Sequence, residues 1–150
     1  MRAVIQRVLE GEVSINGITT GRVGKGLVAL VAFSAEDDGK TIDYMLDKII
    51  GLRIFEDEND KMNISLNDVN GGLLIVPNFT VYGDVRKGKR PSFINSAPPD
   101  LASEIFDRFV EKANKLLPNR AASGIFKADM QVKILNDGPV TILLDSDKSF

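Results

Sequence analysis

The stretch Gly71-Gly72-Leu73-Leu74-Ile75-Val76-Pro77-Asn78-Phe79-Thr80-Val81-Tyr82-Gly83-Asp84 constrains this chain more than any other. Paired glycines lead into four aliphatic residues, and a run so apolar and so bounded reads as a strand buried on both faces. Alternation puts Leu74, Val76, Asn78 and Thr80 on one face and Leu73, Ile75, Pro77 and Phe79 on the other. Asn78 and Thr80 then continue an apolar face. A buried amide or hydroxyl without a partner costs a few kcal/mol, so this pair must be bonded to protein or to a ligand. The plain alternative is a strand end whose Asn and Thr satisfy neighbouring backbone. Pro77 cannot donate to a ladder and belongs at an edge or a bulge. The sheet is interrupted here.

Composition narrows the chemistry mainly by what it lacks. The 150 residues contain no His and no Cys, which removes Ser-His-Asp and Cys-His nucleophile systems and the usual zinc sites. Acid–base work near neutral pH must then come from a shifted carboxylate or lysine, from backbone groups, or from the substrate. No cofactor and no metal is expected. The net charge of −2 gives no overall basic footprint, so a nucleic-acid contact must rest on a local patch. The length suits one domain, residues 1–150. No apolar run approaches the ~20 residues of a membrane span, and without cysteine or a leader-like segment the expected location is cytoplasmic.

Along the chain, 1–8 and 12–15 read as two early strands, and Asn16-Gly17 turns the chain into Ile18–Arg22. Gly24-Lys25-Gly26 lacks the Lys-Ser/Thr ending of a phosphate loop and opens no helix, so it reads as a turn into the buried strand 27–33. Ile42, Met45, Leu46, Ile49 and Ile50 fall at helical spacing. The acidic cluster Glu56-Asp57-Glu58-Asn59-Asp60 lacks the spacing of a calcium loop and reads as a hairpin tip, with 61–66 returning toward the central strand. A second helix opens at Pro98-Pro99-Asp100, carries Leu101, Ile105, Phe106, Phe109, Val110, Leu116 and Leu117 as its apolar stripe, and stops at Pro118. The chain then ends in a hairpin: 129–135, a turn at Asn136-Asp137-Gly138, and 139–144. The fold class is mixed α/β (α+β): largely antiparallel sheet closing toward a barrel-like core, with two main helices on one side. Between the strands, Arg86, Lys87, Lys89 and Arg90 place four cations in five residues of a glycine-containing loop. Such runs are usually only solvated, but this one lies beside the interrupted strand, where it could contact phosphate.

Several segments, in order, resemble the D-aminoacyl-tRNA deacylase family: Ile5-Gln6-Arg7-Val8, Arg53-Ile54-Phe55, Lys61-Met62-Asn63, Asn78-Phe79-Thr80, Arg90-Pro91-Ser92-Phe93, Ala128-Asp129-Met130-Gln131-Val132 and Asn136-Asp137-Gly138-Pro139-Val140-Thr141. The resemblance runs essentially end to end. It implies hydrolysis of the ester between a D-amino acid, or glycine, and the terminal ribose of tRNA. It further implies a homodimer in which each subunit inserts a Gly-cisPro segment into its partner's pocket. On that pattern Gly138 and Pro139 present carbonyls to the substrate's α-amino group and exclude an L side chain. Arg7 resembles the arginine that braces the segment, and Met130 a residue near the amino-acid pocket. Asn78, Phe79 and Thr80 fall on the catalytic motif, and Arg86, Lys87, Lys89 and Arg90 are the expected tRNA contacts.

The family's usual strand motif is Ser-Gln-Phe-Thr, whereas this chain has Pro77-Asn78-Phe79-Thr80. Pro77 removes a hydroxyl and a backbone donor, so no role of that serine transfers. A sibling branch that edits mischarged L-alanine also tends to carry proline there, but its Gly-Pro segment differs from the one here. Thr80 has no evident base to make it a nucleophile. The expected chemistry is therefore assisted by the substrate's own 2′-hydroxyl, with positioning and backbone donors near Phe79 and Thr80 supplied by the protein. The competing readings are a catalytically silent tRNA-binding dimer, a purely structural dimer, and the L-alanine-editing sibling.

Overall fold

The computed structural model describes residues 1–150. Its longest early element is β1 (Arg2–Ile15), and the main sheet is assembled on it. The two early strands expected from the sequence are one strand, irregular in register around Leu9 and between Val13 and Ser14. Asn16 and Gly17 both have positive φ, 50° and 79°, as a tight two-residue hairpin turn requires. They pair β2 (Ile18–Val23) antiparallel to the far half of β1. The near half of β1 pairs antiparallel with β3 (Gly26–Ala32), from Arg2↔Ala32 to Val8↔Gly26.

Outward from β3 the pairing turns parallel. The strand β6 (Gly72–Pro77) lies beside β3, and the short β7 (Ala121–Ser123) lies beside β6. A Cβ on Gly26 would sit 2.0 Å from the Gly72 carbonyl oxygen, so glycine lets these two strands start side by side. A Cβ on Gly21 of β2 would fall 2.8 Å from the Ser123 carbonyl oxygen of β7. The sheet therefore curls until its edges nearly meet. Val8, Val13, Val23, Val28, Leu74 and Val76 fill the small interior. The other face of the same strands, through Ala3, Ile5, Leu27, Ala29, Val31, Leu73 and Ile75, belongs to a larger core shared with the helices. Strands buried on both sides explain the continuous apolar runs in the sequence.

Helix α1 (Gly39–Gly51) starts at Asp38, whose carboxylate accepts from the Thr41 amide at 2.9 Å, and it buries the five apolar residues expected. Helix α2 (Pro99–Leu116) buries Ala102, Ile105, Phe106, Phe109 and Ala113. Its stripe is displaced from the expected one: Leu101 and Leu116 are exposed and Val110 only packs at the margin. Two alanines lie on the buried arc instead, where small side chains bring the helix close to the sheet. Between the helices and the sheet, Phe33 meets Phe106 and Phe109 edge-on at 6.3 and 6.1 Å.

Two other expectations are corrected. The segment 61–66 does not join the central strand; β4 (Phe55–Glu56) and β5 (Met62–Ile64) form a separate two-stranded sheet around the Asp57 turn. The terminal hairpin is absent, because β8 (Gln131–Asp145) is a single strand antiparallel to β1 from end to end. The long free edge of β1 satisfies the backbone of both segments, so Asn136-Asp137-Gly138 need not reverse the chain. The pairing passes instead from Val8↔Asn136 to Gln6↔Thr141. Four residues of β8, 137–140, thus stand opposite Arg7 alone and are pushed out of the sheet as a loop.

Candidate active site

The interrupted strand ends at Pro77. The neighbouring β7 reaches only Ile75, so the proline sits where that edge of β6 is unpaired. Asn78 still donates its amide to the Val31 carbonyl at 2.7 Å, after which the chain winds into a one-turn 3-10 helix, Phe79–Tyr82. Asn78 and Thr80 therefore do not continue a strand face as the sequence suggested. The Thr80 hydroxyl donates to Asn78 Oδ1 at 2.5 Å, and Thr80 is exposed. The turn is anchored at its far end by Tyr82, which is buried beneath the Arg2 guanidinium at 4.8 Å. Burial pushes the Tyr82 hydroxyl up to about 12. The amides of Phe79 and Thr80 donate to no group within the chain. Phe79 lines the adjoining cleft, whereas Thr80 follows it in the turn and is not part of the lining.

That cleft has a volume of about 820 Å³ and is mostly apolar. Leu30 and Val76 come from the barrel, Asn78 and Phe79 from the turn, Met130, Val132 and Ile134 from β8 and the residue before it, and Pro98, Pro99 and Ala102 from the start of α2. The alternation of 130, 132 and 134 puts all three on the cleft side, as their sequence period implies. Phe93, the last residue of the Arg90-Pro91-Ser92-Phe93 segment, stacks edge-on against Phe79 at 5.0 Å and joins the wall with the exposed Ile94. No sequence signal marked Ile94, Phe126 or the mouth of α2 as part of one cavity, since they meet only in the fold.

Arg7, Gly138 and Pro139 gather elsewhere. They do not line the cleft of their own chain. Arg7 is buried, donates Nη1 to the Ile54 carbonyl at 2.8 Å, and holds Asp137 at 2.9 Å, with Glu56 at 3.8 Å. Gly138 has φ +111°, and the peptide to Pro139 is cis. A Cβ on Gly138 would stand 2.8 Å from Val140 Cγ2 and 3.1 Å from Arg7 Nη2. Both Gly138 and Pro139 are exposed to solvent.

The cationic loop leaves the turn at Gly83 and is closed by a two-residue bridge, Asp84↔Ser92. Its first cation is already occupied: Arg86 pairs with Asp84 at 2.6 Å. The Arg86 side chain, and then its backbone amide, hold the Asp84 carboxyl well below the ordinary carboxylate range. Lys87, Lys89 and Arg90 are exposed and make no ion pair.

A curled mixed sheet with a projecting Gly-Pro loop and a His-free, Cys-free cleft defines a class of protein found by comparison. The family model described as D-Tyr-tRNA(Tyr) deacylase matches residues 4–145, and the chain belongs to that family, hydrolases of the aminoacyl-tRNA ester. Proteins named D-aminoacyl-tRNA deacylase from Clostridioides difficile (strain 630) and Thermosipho africanus (strain TCF52B) are each 53% identical to it over 150 residues, covering all of both chains. Among solved structures, the c-Myc DNA Unwinding Element Binding Protein superposes with a TM-score of 0.92 at 39% identity, covering 97% of this chain and 98% of its own. A probable eukaryotic D-amino acid tRNA deacylase shares the fold, with a TM-score of 0.81 at 19% identity and coverage of 95% and 97%.

Proposed function

We propose that this chain hydrolyses the ester of D-aminoacyl-tRNA, and of glycine misattached to tRNA(Ala), releasing the free amino acid and intact tRNA. The observation that carries this reading is full-length identity of 53% to proteins named for that reaction. The site geometry supplies a compatible mechanism. Water attacks the ester carbonyl carbon, negative charge develops on the carbonyl oxygen, and the bond to the ribose oxygen breaks as that oxygen takes a proton. The free amides of Phe79 and Thr80 suit the developing oxyanion. With its proton given to Asn78, the Thr80 hydroxyl keeps lone pairs that accept a hydrogen bond from substrate or water, and it acts by positioning. The adjacent 2′-hydroxyl of the terminal adenosine moves the proton that no His or Cys is present to move. Orientation of this kind is worth up to about 7–11 kcal/mol.

On this reading the enzyme is a cytoplasmic homodimer. Gly138 and Pro139 are exposed and do not line their own cleft, so on this reading a second copy brings them to Asn78, Phe79, Thr80 and Met130. Their backbone carbonyls receive the α-amino group common to all amino acids. The space beside them rejects an L side chain by steric exclusion. Lys87, Lys89 and Arg90, with Arg86 partly held back by Asp84, contact the acceptor-stem phosphates.

The test is deacylation of matched D- and L-aminoacyl-tRNA. Rapid loss of the D ester with the L ester spared is expected, undiminished by exhaustive chelation. Equal rates on both would refute chiral selection, and activity on L-alanyl-tRNA alone would move the chain to the editing sibling. A second reading, a nucleic-acid binder without catalysis, draws on the free cations of the loop and on the name of the 39%-identical neighbour. Tight tRNA binding without turnover of any ester would favour it.

A further inference from the structure

We propose that Asn136 is a positioning residue for chiral selection: its side-chain amide closes the neck of the 137–140 loop and so fixes where Gly138 and Pro139 stand. The inference rests on the deacylase reading above and adds to it a residue that contacts neither the cleft nor the loop's tip.

Where β8 leaves β1, the ladder fails. The register breaks between Gln6 and Val8, and the carbonyls of Arg7 and Val140 lie on either side of the break. Asn136 Nδ2 donates to both, to Arg7 O at 2.9 Å and to Val140 O at 3.0 Å. A primary amide carries two N–H donors, and here each has one carbonyl. On its other side Oδ1 accepts from Gln6 Nε2 at 3.3 Å and from Thr141 Oγ1 at 3.4 Å. Only one orientation of the amide satisfies all four, because a flipped amide would turn its oxygen against two carbonyls. The side chain thus ties the first residue before the loop to the last residue in it and to β1. Arg7 is gripped from both directions: its carbonyl by Asn136 and its guanidinium by Asp137 and Ile54.

A stereochemical filter made of backbone needs this. Exclusion of an L side chain depends on Gly138 and Pro139 holding their place against a push of about one methyl group or more, and a loop free at its neck would yield. Neither serine nor aspartate can replace the amide fully. Aspartate keeps the shape but sets an acceptor against two acceptors, and serine retains a single donor.

The experiment compares Asn136→Asp and Asn136→Ser with wild type, in single-turnover deacylation of matched D- and L-aminoacyl-tRNA, with melting temperature and dimer state recorded. Near neutral pH the D-to-L rate ratio of Asn136→Asp should fall by about tenfold, the effect of one good hydrogen bond or a little more. Asn136→Ser should lie between. As pH is lowered, the crowded carboxyl should take up a proton at a raised pKa and donate to one carbonyl, so selectivity should partly return. A merely structural residue would not show that profile. An unchanged ratio in both variants, an equal fall of both rates, or failure of both variants to fold overturns the proposal. If wild type itself shows no D preference, the deacylase reading fails first. Amide exchange at Asp137, Gly138 and Val140 then decides: faster exchange confined to these residues in Asn136→Asp upholds the positioning role, and unchanged exchange overturns it.

Discussion

Two loops leave the main sheet of this chain, and they are held in opposite ways. The 137–140 loop is tied at its neck by Asn136 and at its first residue, Asp137, by the buried Arg7. The cationic loop between Asp84 and Ser92 is closed by one bridge and one exposed ion pair, and its remaining cations extend into solvent. The difference matches what each has to read. Selecting one enantiomer by exclusion demands fixed atoms, whereas attraction to phosphate acts at a distance and tolerates motion. Rigidity is concentrated where geometry carries the information.

The sharpest way to break this comparison is Gly138→Ala. Its Cβ has no room beside Val140 and Arg7, and φ +111° is foreign to alanine. Displacement of the loop by about 1 Å should lower D-ester hydrolysis about 100-fold. Folding should lose only about 1–2 kcal/mol, the cost of a left-handed backbone. A variant equally crippled in folding and in turnover would show that the loop is structural.

Arg7→Ala comes next. It removes the ion pair with Asp137 and the charge-assisted hydrogen bond to the Ile54 carbonyl, which should cost about 2–3 kcal/mol in denaturant unfolding at matched protein concentration. Because Asp137 and Glu56 are partly exposed, the loss should stay below that of a fully buried broken pair. Its D-to-L ratio should also fall, while the salt dependence of tRNA binding should stay as in wild type.

The cationic loop should show the converse. Replacing Arg86, Lys87, Lys89 and Arg90 by alanine should weaken tRNA binding, and removing each cation that touches a phosphate should flatten the log–log salt slope by roughly 0.7–0.9. The D-to-L ratio should not move. An unchanged slope would return the loop to a solvated turn.

Asp84→Asn should give the smallest effect and the opposite sign, since it frees Arg86 and should steepen the slope by about 0.7–0.9 at most. The sign of its pH dependence follows from the depressed carboxyl. The Asp84–Arg86 tether is complete above the ordinary carboxylate range, about pH 4, and is lost only as pH falls through the lowered value. Between about pH 5 and 8 the wild-type slope should therefore be flat with pH. A drift across that window would show that the pair does not restrain the loop.

Much of this architecture was legible in the sequence. The strand 27–33, the five buried residues of α1 and the Asn16-Gly17 turn follow from local pattern, because backbone preference and burial period point the same way. The apolar stripe of α2 was misplaced since alanines carry little hydrophobic signal, and only packing reveals that Ala102 and Ala113 are buried. β7 was invisible, as three small residues have no period. The terminal hairpin was misread for a deeper reason. Asp-Gly turns a chain only when its flanking strands have no better partner, and β1 offered one along its full length.

The candidate site divides along the same line. Residue types alone determined that no His or Cys chemistry operates here, that β6 breaks at Pro77, and that cations cluster at 86–90, since these are properties of side chains and local backbone. Only the tertiary structure decided that β6 gives way to a 3-10 turn with free amides at Phe79 and Thr80. It alone decided that Met130 and Ile134 meet Phe93 across one cleft, and that Gly138 and Pro139 are thrust outward opposite Arg7. Those outcomes depend on which strands pair and in what register. Register is set by burial summed over the whole sheet, a quantity that no short stretch of sequence contains.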